Sequence, residues 1–204
     1  MSFLTFYQQD LFVTSQNIGD VVKRLNNKLS AGMDGIPNRL LRKTSSPFHK
    51  RLAIIVNHCL NIAFIPQQWK DGELVPVHKA DKVAHRVNGY RPITRLSNIS
   101  KVWERVVKEK LETNFLENVL IPNFQFGFMP NRSTVQSLMI FGNRVASRLN
   151  QRIPAMSVSL DVMKAFDSVD HALLVAKLSS LGIDDHMCAI VRNYVHTCKI
   201  VVLK

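Results

Sequence analysis

Asp161-Val162-Met163-Lys164-Ala165-Phe166-Asp167-Ser168-Val169-Asp170-His171 follows directly on the alternating stretch Ala155-Met156-Ser157-Val158-Ser159-Leu160. On an extended chain Met156, Val158 and Leu160 face one way and Ser157, Ser159 and Asp161 the other. The pattern therefore predicts a strand that delivers Asp161 from its polar face. A carboxylate at a strand end is well placed to hold Mg²⁺. Beyond it, Leu173, Leu174, Lys177, Leu178 and Leu181 outline a helix that stops at Gly182, a favourable C-terminal cap. Ser168 or Asp170 fits the N-cap of that helix and Asp167 complements its dipole.

Working outward, the spacing predicts helices on both sides. Ile18, Val21, Val22, Leu25 and Leu29 recur at helical intervals until Ser30-Ala31-Gly32-Met33-Asp34-Gly35 punctuates the run. Ser46-Pro47 opens a second helix, carried by Phe48, Leu52, Ile55, Val56, Cys59, Leu60 and Ala63 as far as Pro66. Glu73 to Lys79 reads as an edge strand, because Pro76 cannot donate to a ladder, and Tyr90 to Leu96 as its hairpin partner. Ile99, Val102, Trp103, Val106, Lys110 and Leu111 mark a long helix. Another begins near Ser133, with Val135, Leu138, Gly142, Val145 and Leu149 on one face, Gly142 allowing close packing. A last helix with Ile190, Val191 and Tyr194 leads to the apolar Ile200-Val201-Val202-Leu203. The expected class is α+β, mostly helical with a small antiparallel sheet.

The chain has 204 residues, 46% of them apolar and 21% charged, enough to bury a sizeable core. Its net charge is +12, an imbalance that favours a polyanionic partner, nucleic acid first. Residues 1–160 hold 22 basic and 10 acidic side chains and residues 161–204 five of each, so the excess precedes Asp161. It is densest from Lys70 to Lys110, interleaved with Trp69, Tyr90 and Trp103, a mixture suited to a nucleic-acid surface. Cys59, Cys188 and Cys198 form no disulfide framework, which points to a reducing, intracellular setting. No membrane span or signal peptide is apparent.

Other chemistries fit poorly. Gly32-Met33-Asp34-Gly35 lacks the Gly-Lys-Ser/Thr that closes a Walker loop and runs on into Ile36-Pro37. A haloacid-dehalogenase-type phosphatase wants a second Asp where this chain has Met163. His186, Cys188, His196 and Cys198 are spaced on expected helix and strand and do not converge as loop-borne zinc ligands do.

Four segments in order resemble LINE-type, non-long-terminal-repeat retrotransposon reverse transcriptases. They are Ser30 to Ile36; Tyr90-Arg91-Pro92-Ile93; Gln125-Phe126-Gly127-Phe128 with Arg132-Ser133-Thr134; and Asp161 to His171. The resemblance covers roughly residues 15 to 204. It implies a right-hand polymerase of which this chain is the fingers and first part of the palm, truncated. Residues 1–14 are then an N-terminal extension, 15–154 the fingers and fingers/palm helices, and 155–204 a partial palm. It also implies RNA-directed DNA synthesis as the family activity, with two Mg²⁺ ions, an RNA template, a DNA primer and deoxynucleotide triphosphates.

By position in the motifs, Asp161 resembles the first metal-binding aspartate, with the Val162 carbonyl as a further ligand. Phe166 resembles the aromatic residue beneath the incoming sugar, and Lys79 and Arg91 lie where the fingers hairpin reaches the triphosphate. Gln125, Gly127 and Arg132 fall near the template. Ala31 stands where the family commonly has proline, and Met129 where it often has arginine. The later palm motif with paired aspartates is absent from these residues, so the chain is expected to be inactive alone. The alternative is a non-catalytic RNA- or DNA-binding remnant of such an element.

Overall fold

Aliphatic residues at helical spacing build the core. The computed structural model describes residues 11–27, 31–80, 83, 86, 89–118, 121–196 and 199–201. Helix α1 (Ser15–Lys23) starts in a reciprocal cap: the Thr14 Oγ1 accepts from Asn17 N–H at 3.2 Å, and Asn17 Oδ1 accepts from Thr14 N–H at 2.8 Å. Ile18, Val21 and Val22 are buried against α3 (Ser46–Asn61) and α5 (Asn98–Asn118). The helix ends at Lys23, six residues before the expected Leu29, which lies outside the described residues; Leu25 is still buried, from a turn.

A short α2 (Asn38–Leu41) precedes α3, and a short α4 (Gln67–Lys70) follows it. Helix α3 buries Leu52, Ala53, Val56, Cys59 and Leu60, the 3–4 spacing of one face. Helix α5 adds Val102, Trp103, Val106 and Val107 to the same core. Fully burying an aliphatic side chain of this size contributes about 1.5–3 kcal/mol, so this three-helix centre anchors the fold.

Strands β1 (Asp71–His78) and β2 (Tyr90–Leu96) pair antiparallel, with Gly72 opposite Leu96 and His78 opposite Tyr90. The Lys79 N–H donates to Gly89 O at 2.8 Å, which fixes the phase of the ladder. Odd-numbered residues of β1 bond across the hairpin, and Pro76 and Pro92 face each other on a rung that needs no N–H. A third strand, β3 (Lys199–Val201), runs parallel to β1 over Asp71–Glu73 and gives the order β2-β1-β3. The expected antiparallel pair is present, but the whole sheet is mixed. Among the described residues β1 is an edge, as Pro76 requires, only from Leu74 onward.

Helix α6 (Thr134–Asn150) begins with a Ser133/Gln136 capping box, yet buries no residue. Val135, Leu138 and Leu149 are exposed, and nothing lies within 4 Å of a Cβ placed on Gly142, so the expected close packing there is not made. Helices α7 (His171–Ser180) and α8 (Asp185–His196) pack together through Val175, Ile183, Met187 and Cys188. Helix α8 is tied back to the core by polar contacts. Asn193 Oδ1 accepts from Ile65 N–H at 3.1 Å and from Lys70 Nζ at 3.3 Å, and the Tyr194 hydroxyl donates to Glu104 of α5. His186, one of the four residues weighed as zinc ligands, bonds through Nε2 to Leu60 O at 2.6 Å. No helix among the described residues is long and apolar enough to cross a membrane.

Residues 155–161 depart from expectation. They form no strand and are exposed throughout, Met156 at 92% and Leu160 at 90%. Alternation supplies two faces, but a strand also needs a neighbour to take its N–H and C=O groups, and no described residue pairs with this segment.

Candidate active site

Asp161 sits on an exposed segment without secondary structure, not at a strand end, and its carboxylate makes no hydrogen bond or ion pair among the described residues. Val162 beside it is exposed as well. A turn follows in which Lys164 takes the left-handed backbone conformation (φ 52°) and Ser168 N–H closes on Lys164 O at 3.0 Å. Of the two candidate caps for α7, Asp170 fills the role, its Oδ1 accepting from Leu173 N–H at 2.9 Å. Among the described residues, Asp170 is thus engaged in the fold and the Asp161 carboxylate is not.

Phe166 is 81% exposed and Phe128 is 94% exposed, and their rings meet edge to face with centroids 6.3 Å apart. Two large apolar rings left mostly in water thus meet each other. Phe128 holds φ 62°, a conformation that is costly for a bulky residue. This contact joins the Gln125–Arg132 loop to the Asp161 segment, which the sequence alone does not reveal.

The loop is built around Arg132. Its Nη1 donates to the carbonyls of Pro122 (3.2 Å), Asn123 (3.0 Å) and Gln125 (2.6 Å), and its guanidinium lies 5.9 Å from the centroid of Phe126. Gln125 Nε2 donates to Gly127 O at 3.0 Å. Gln125 and Arg132 therefore hold the loop that presents Phe128, and Gly127 is exposed at its bend.

Lys79 and Arg91 belong to the hairpin. Lys79 follows β1 and is half-buried; Arg91 lies opposite Val77, exposed, with no side-chain hydrogen bond or ion pair among the described residues. Four residues along β2, on the same face as Arg91, Arg95 donates through Nε to Glu73 at 2.8 Å, a directly opposed cross-strand ion pair. Arg95 is tied into the sheet and Arg91 is left to solvent.

The Ser30 to Ile36 motif positions the hairpin base. Ser30 itself is outside the described residues. The Ser97 Oγ–H donates to Asp34 Oδ2 at 2.6 Å while its oxygen accepts from Ile99 and Ser100 N–H at 3.2 and 3.3 Å, capping α5. Asn98 Nδ2 donates to Ile36 O at 2.8 Å. Gly32 approaches so closely that a Cβ would stand 2.5 Å from Leu96 O. The turn expected from Gly-x-Asp-Gly is thus a clamp on the β2–α5 junction. Ser97 and Asn98, its partners, carry no motif of their own in the sequence.

Buried titratable groups lie between helices. Burial raises the Glu104 carboxyl above the ordinary carboxylate range, against the Tyr194 hydroxyl and Lys101, which oppose the rise. Burial likewise lowers Lys101, and raises the thiols of Cys59 and Cys188. No group of three or more His, Cys, Asp or Glu arranged to hold a metal occurs among the described residues.

Residues 77–202 match the family model "Reverse transcriptase (RNA-dependent DNA polymerase)", well over half of the chain. The "Probable RNA-directed DNA polymerase from transposon BS" of Drosophila melanogaster is 32% identical over 166 residues, 81% of this chain and 18% of that protein. The "RNA-directed DNA polymerase from mobile element jockey" of the same species is 30% identical over 169 residues, 83% of this chain and 18% of its own length. The "Retrovirus-related Pol polyprotein from type-1 retrotransposable element R1" of Bradysia coprophila is 26% identical over 162 residues, 79% of this chain and 16% of that protein. The chain thus spans under a fifth of the length of these curated relatives. The four ordered motifs, the span of the family model and the element types of the relatives agree: the chain belongs to the reverse transcriptase family, in its non-long-terminal-repeat retrotransposon branch.

Proposed function

We propose that these residues are the fingers and first part of the palm of a polymerase that copies an RNA template into DNA by joining a primer 3′-hydroxyl to the α-phosphate of a deoxynucleotide. The observation that carries the reading is the Phe128–Phe166 contact, which ties the Gln125–Arg132 loop to the segment carrying Asp161, whose carboxylate has no partner among the described residues. In this reading Asp161 and the Val162 carbonyl supply part of a Mg²⁺ site. Asp161 suits that role as one ligand, since neither carboxylate oxygen is engaged among the described residues, though one carboxylate does not balance two divalent ions. Bound Mg²⁺ neutralises and orients the reacting phosphate oxygens.

Phe166 lies against the incoming sugar and excludes a 2′-hydroxyl. Arg91 and Lys79, at the hairpin tip, draw in the triphosphate, and Gln125, Gly127 and Arg132 shape the loop that the template passes. Template, primer, nucleotides and Mg²⁺ are the partners this implies, in an intracellular setting.

The test places residues 1–204 in the matching position of the longer transposon BS relative. Asp161→Asn should cut primer extension by more than the roughly 10–100-fold that loss of an outer-shell metal partner costs, with RNA binding unchanged. Extension that survives the substitution would remove Asp161 from the metal site. A chimera that binds RNA but never extends a primer would favour a non-catalytic nucleic-acid-binding remnant. Phe166→Val should raise ribonucleotide over deoxynucleotide use as a ratio of kcat/KM values; an unmoved ratio assigns Phe166 to packing alone.

A further inference from the structure

Two long stretches of the chain hold no Asp or Glu, residues 35–70 and residues 118–160. The second carries Arg132, Arg144, Arg148 and Arg152, whereas the first is the more densely basic, with Arg39, Arg42, Lys43, Lys50, Arg51 and Lys70. Lys70 is buried. The other five are exposed and sit together on α2, the turn after it and the first two turns of α3. The ion pairs among the described residues all lie outside the first stretch: Lys23 with Asp20, Arg24 with Glu109, Arg95 with Glu73, and Lys108 with Glu112.

At the α2–α3 corner no ion pair forms among the described residues. Arg42 donates through Nη1 to Leu25 O at 2.9 Å, a neutral partner that fixes its place without cancelling its charge. Arg39, Lys43, Lys50 and Arg51 extend into solvent.

Two further features keep the corner positive. The cap residue of α3, Ser45, makes no side-chain capping bond, and the first turn of α3 holds no acidic residue, so the positive end of the helix dipole is uncompensated. Orientation is settled by packing: Leu52, Ala53 and Val56 face the core, which turns Lys50 and Arg51 outward. The aromatic rings in the stretch from Arg39 to Arg51, Phe48 and His49, are half-buried, Phe48 against the core and His49 bonded to the Thr44 hydroxyl at 3.1 Å. The surface offers charge without a stacking platform.

We propose that the α2–α3 corner is a docking surface for the phosphate backbone of single-stranded nucleic acid, separate from the Asp161 segment. The choice of nucleic acid over another polyanion rests on the polymerase reading above. Charge without exposed rings should bind the backbone with no base preference, because phosphate contacts position the strand and base contacts specify it.

The test is fluorescence anisotropy of the 204-residue chain with a labelled oligouridylate, between about 50 and 200 mM salt. Replacing Arg39, Lys43, Lys50 and Arg51 together by Gln should make the log–log salt slope shallower by about 2 to 3, at roughly 0.7 for each phosphate no longer neutralised on a single strand. Oligocytidylate and oligoadenylate should behave alike. Should the fourfold variant fail to fold, the pairs Arg39→Gln/Lys43→Gln and Lys50→Gln/Arg51→Gln should each reduce the slope by about 1.4.

A slope unmoved by these changes but reduced by Lys79→Gln/Arg91→Gln would overturn the proposal and leave the polymerase reading intact. So would loss of binding to phosphatidylserine vesicles with RNA binding retained, which would assign the corner to an anionic membrane. Primer extension by the chimera tests the polymerase reading separately and does not enter the slope.

Discussion

Replacing Gly32 by Ala tests the clamp on the β2–α5 junction. The added Cβ would stand 2.5 Å from Leu96 O and 2.8 Å from both Leu96 C and Ser97 Cα. All three are backbone atoms at the end of a paired strand, so none can swing aside as a side-chain tip would. The loop must withdraw, and withdrawal breaks the Ser97–Asp34 and Asn98–Ile36 bonds. Overpacking typically costs about 1–3 kcal/mol, and each broken hydrogen bond about 1 kcal/mol. The total, about 3–5 kcal/mol, is a large share of the roughly 5–15 kcal/mol by which domains are stable.

For a chain of this size each kcal/mol moves the midpoint by about 2–4 °C, so Gly32→Ala should lower Tm by about 6–20 °C. Thermal melts followed by circular dichroism measure it, with Gly142→Ala as control. Nothing lies within 4 Å of a Cβ at Gly142, and α6 should gain about 0.5–1 kcal/mol from the better helix former. If Gly32→Ala melts with the parent protein, the close approach is wrong and the loop does not clamp the hairpin.

Two further outcomes follow from buried groups. Glu104 holds its proton more tightly folded than unfolded, so its contribution is complete below the ordinary carboxylate value of 4.5 and is lost as pH rises through the raised native value. Glu104→Gln should therefore flatten the fall in stability across that window and raise Tm at neutral pH, and urea titrations at several pH values would show a parallel curve if the carboxyl were not buried. Cys59 and Cys188, buried and with thiols raised by burial, should resist iodoacetamide at neutral pH until denaturant is added. Site-resolved mass spectrometry would expose rapid native labelling, which the packing forbids.

Local signals carry far in this chain where the partner is also local. The hairpin strand Tyr90–Leu96 is found at the bounds its β-rich run suggests, and α3 begins with Pro47 in its first turn, because turn chemistry and capping act within a few residues. The stretch Ala155 to Asp161 shows the limit: alternation describes which side chains would share a face, but the neighbour that makes a strand is not encoded in the segment itself. The apolar stripe of α6 is similar, since periodicity marks a face suited to burial without saying what covers it. Asp161 and Phe166 are legible through a motif. The Phe128–Phe166 contact links residues 38 positions apart and has no local signature. Asp34 lies within a turn that its glycines announce, yet its partner Ser97 looks like any helix-capping serine.

The facing prolines of the hairpin have a consequence for the chain in solution. Because Pro76 and Pro92 share a rung whose N–H groups point away from the partner, they remove no bond between β1 and β2. What each removes is an outward donor, one on either flank of the hairpin. A stray strand seeking to extend the sheet at the tip would meet a gap in the ladder from both sides. The tip can thus hold Val77 and Ile93 in water without becoming a template for aggregation.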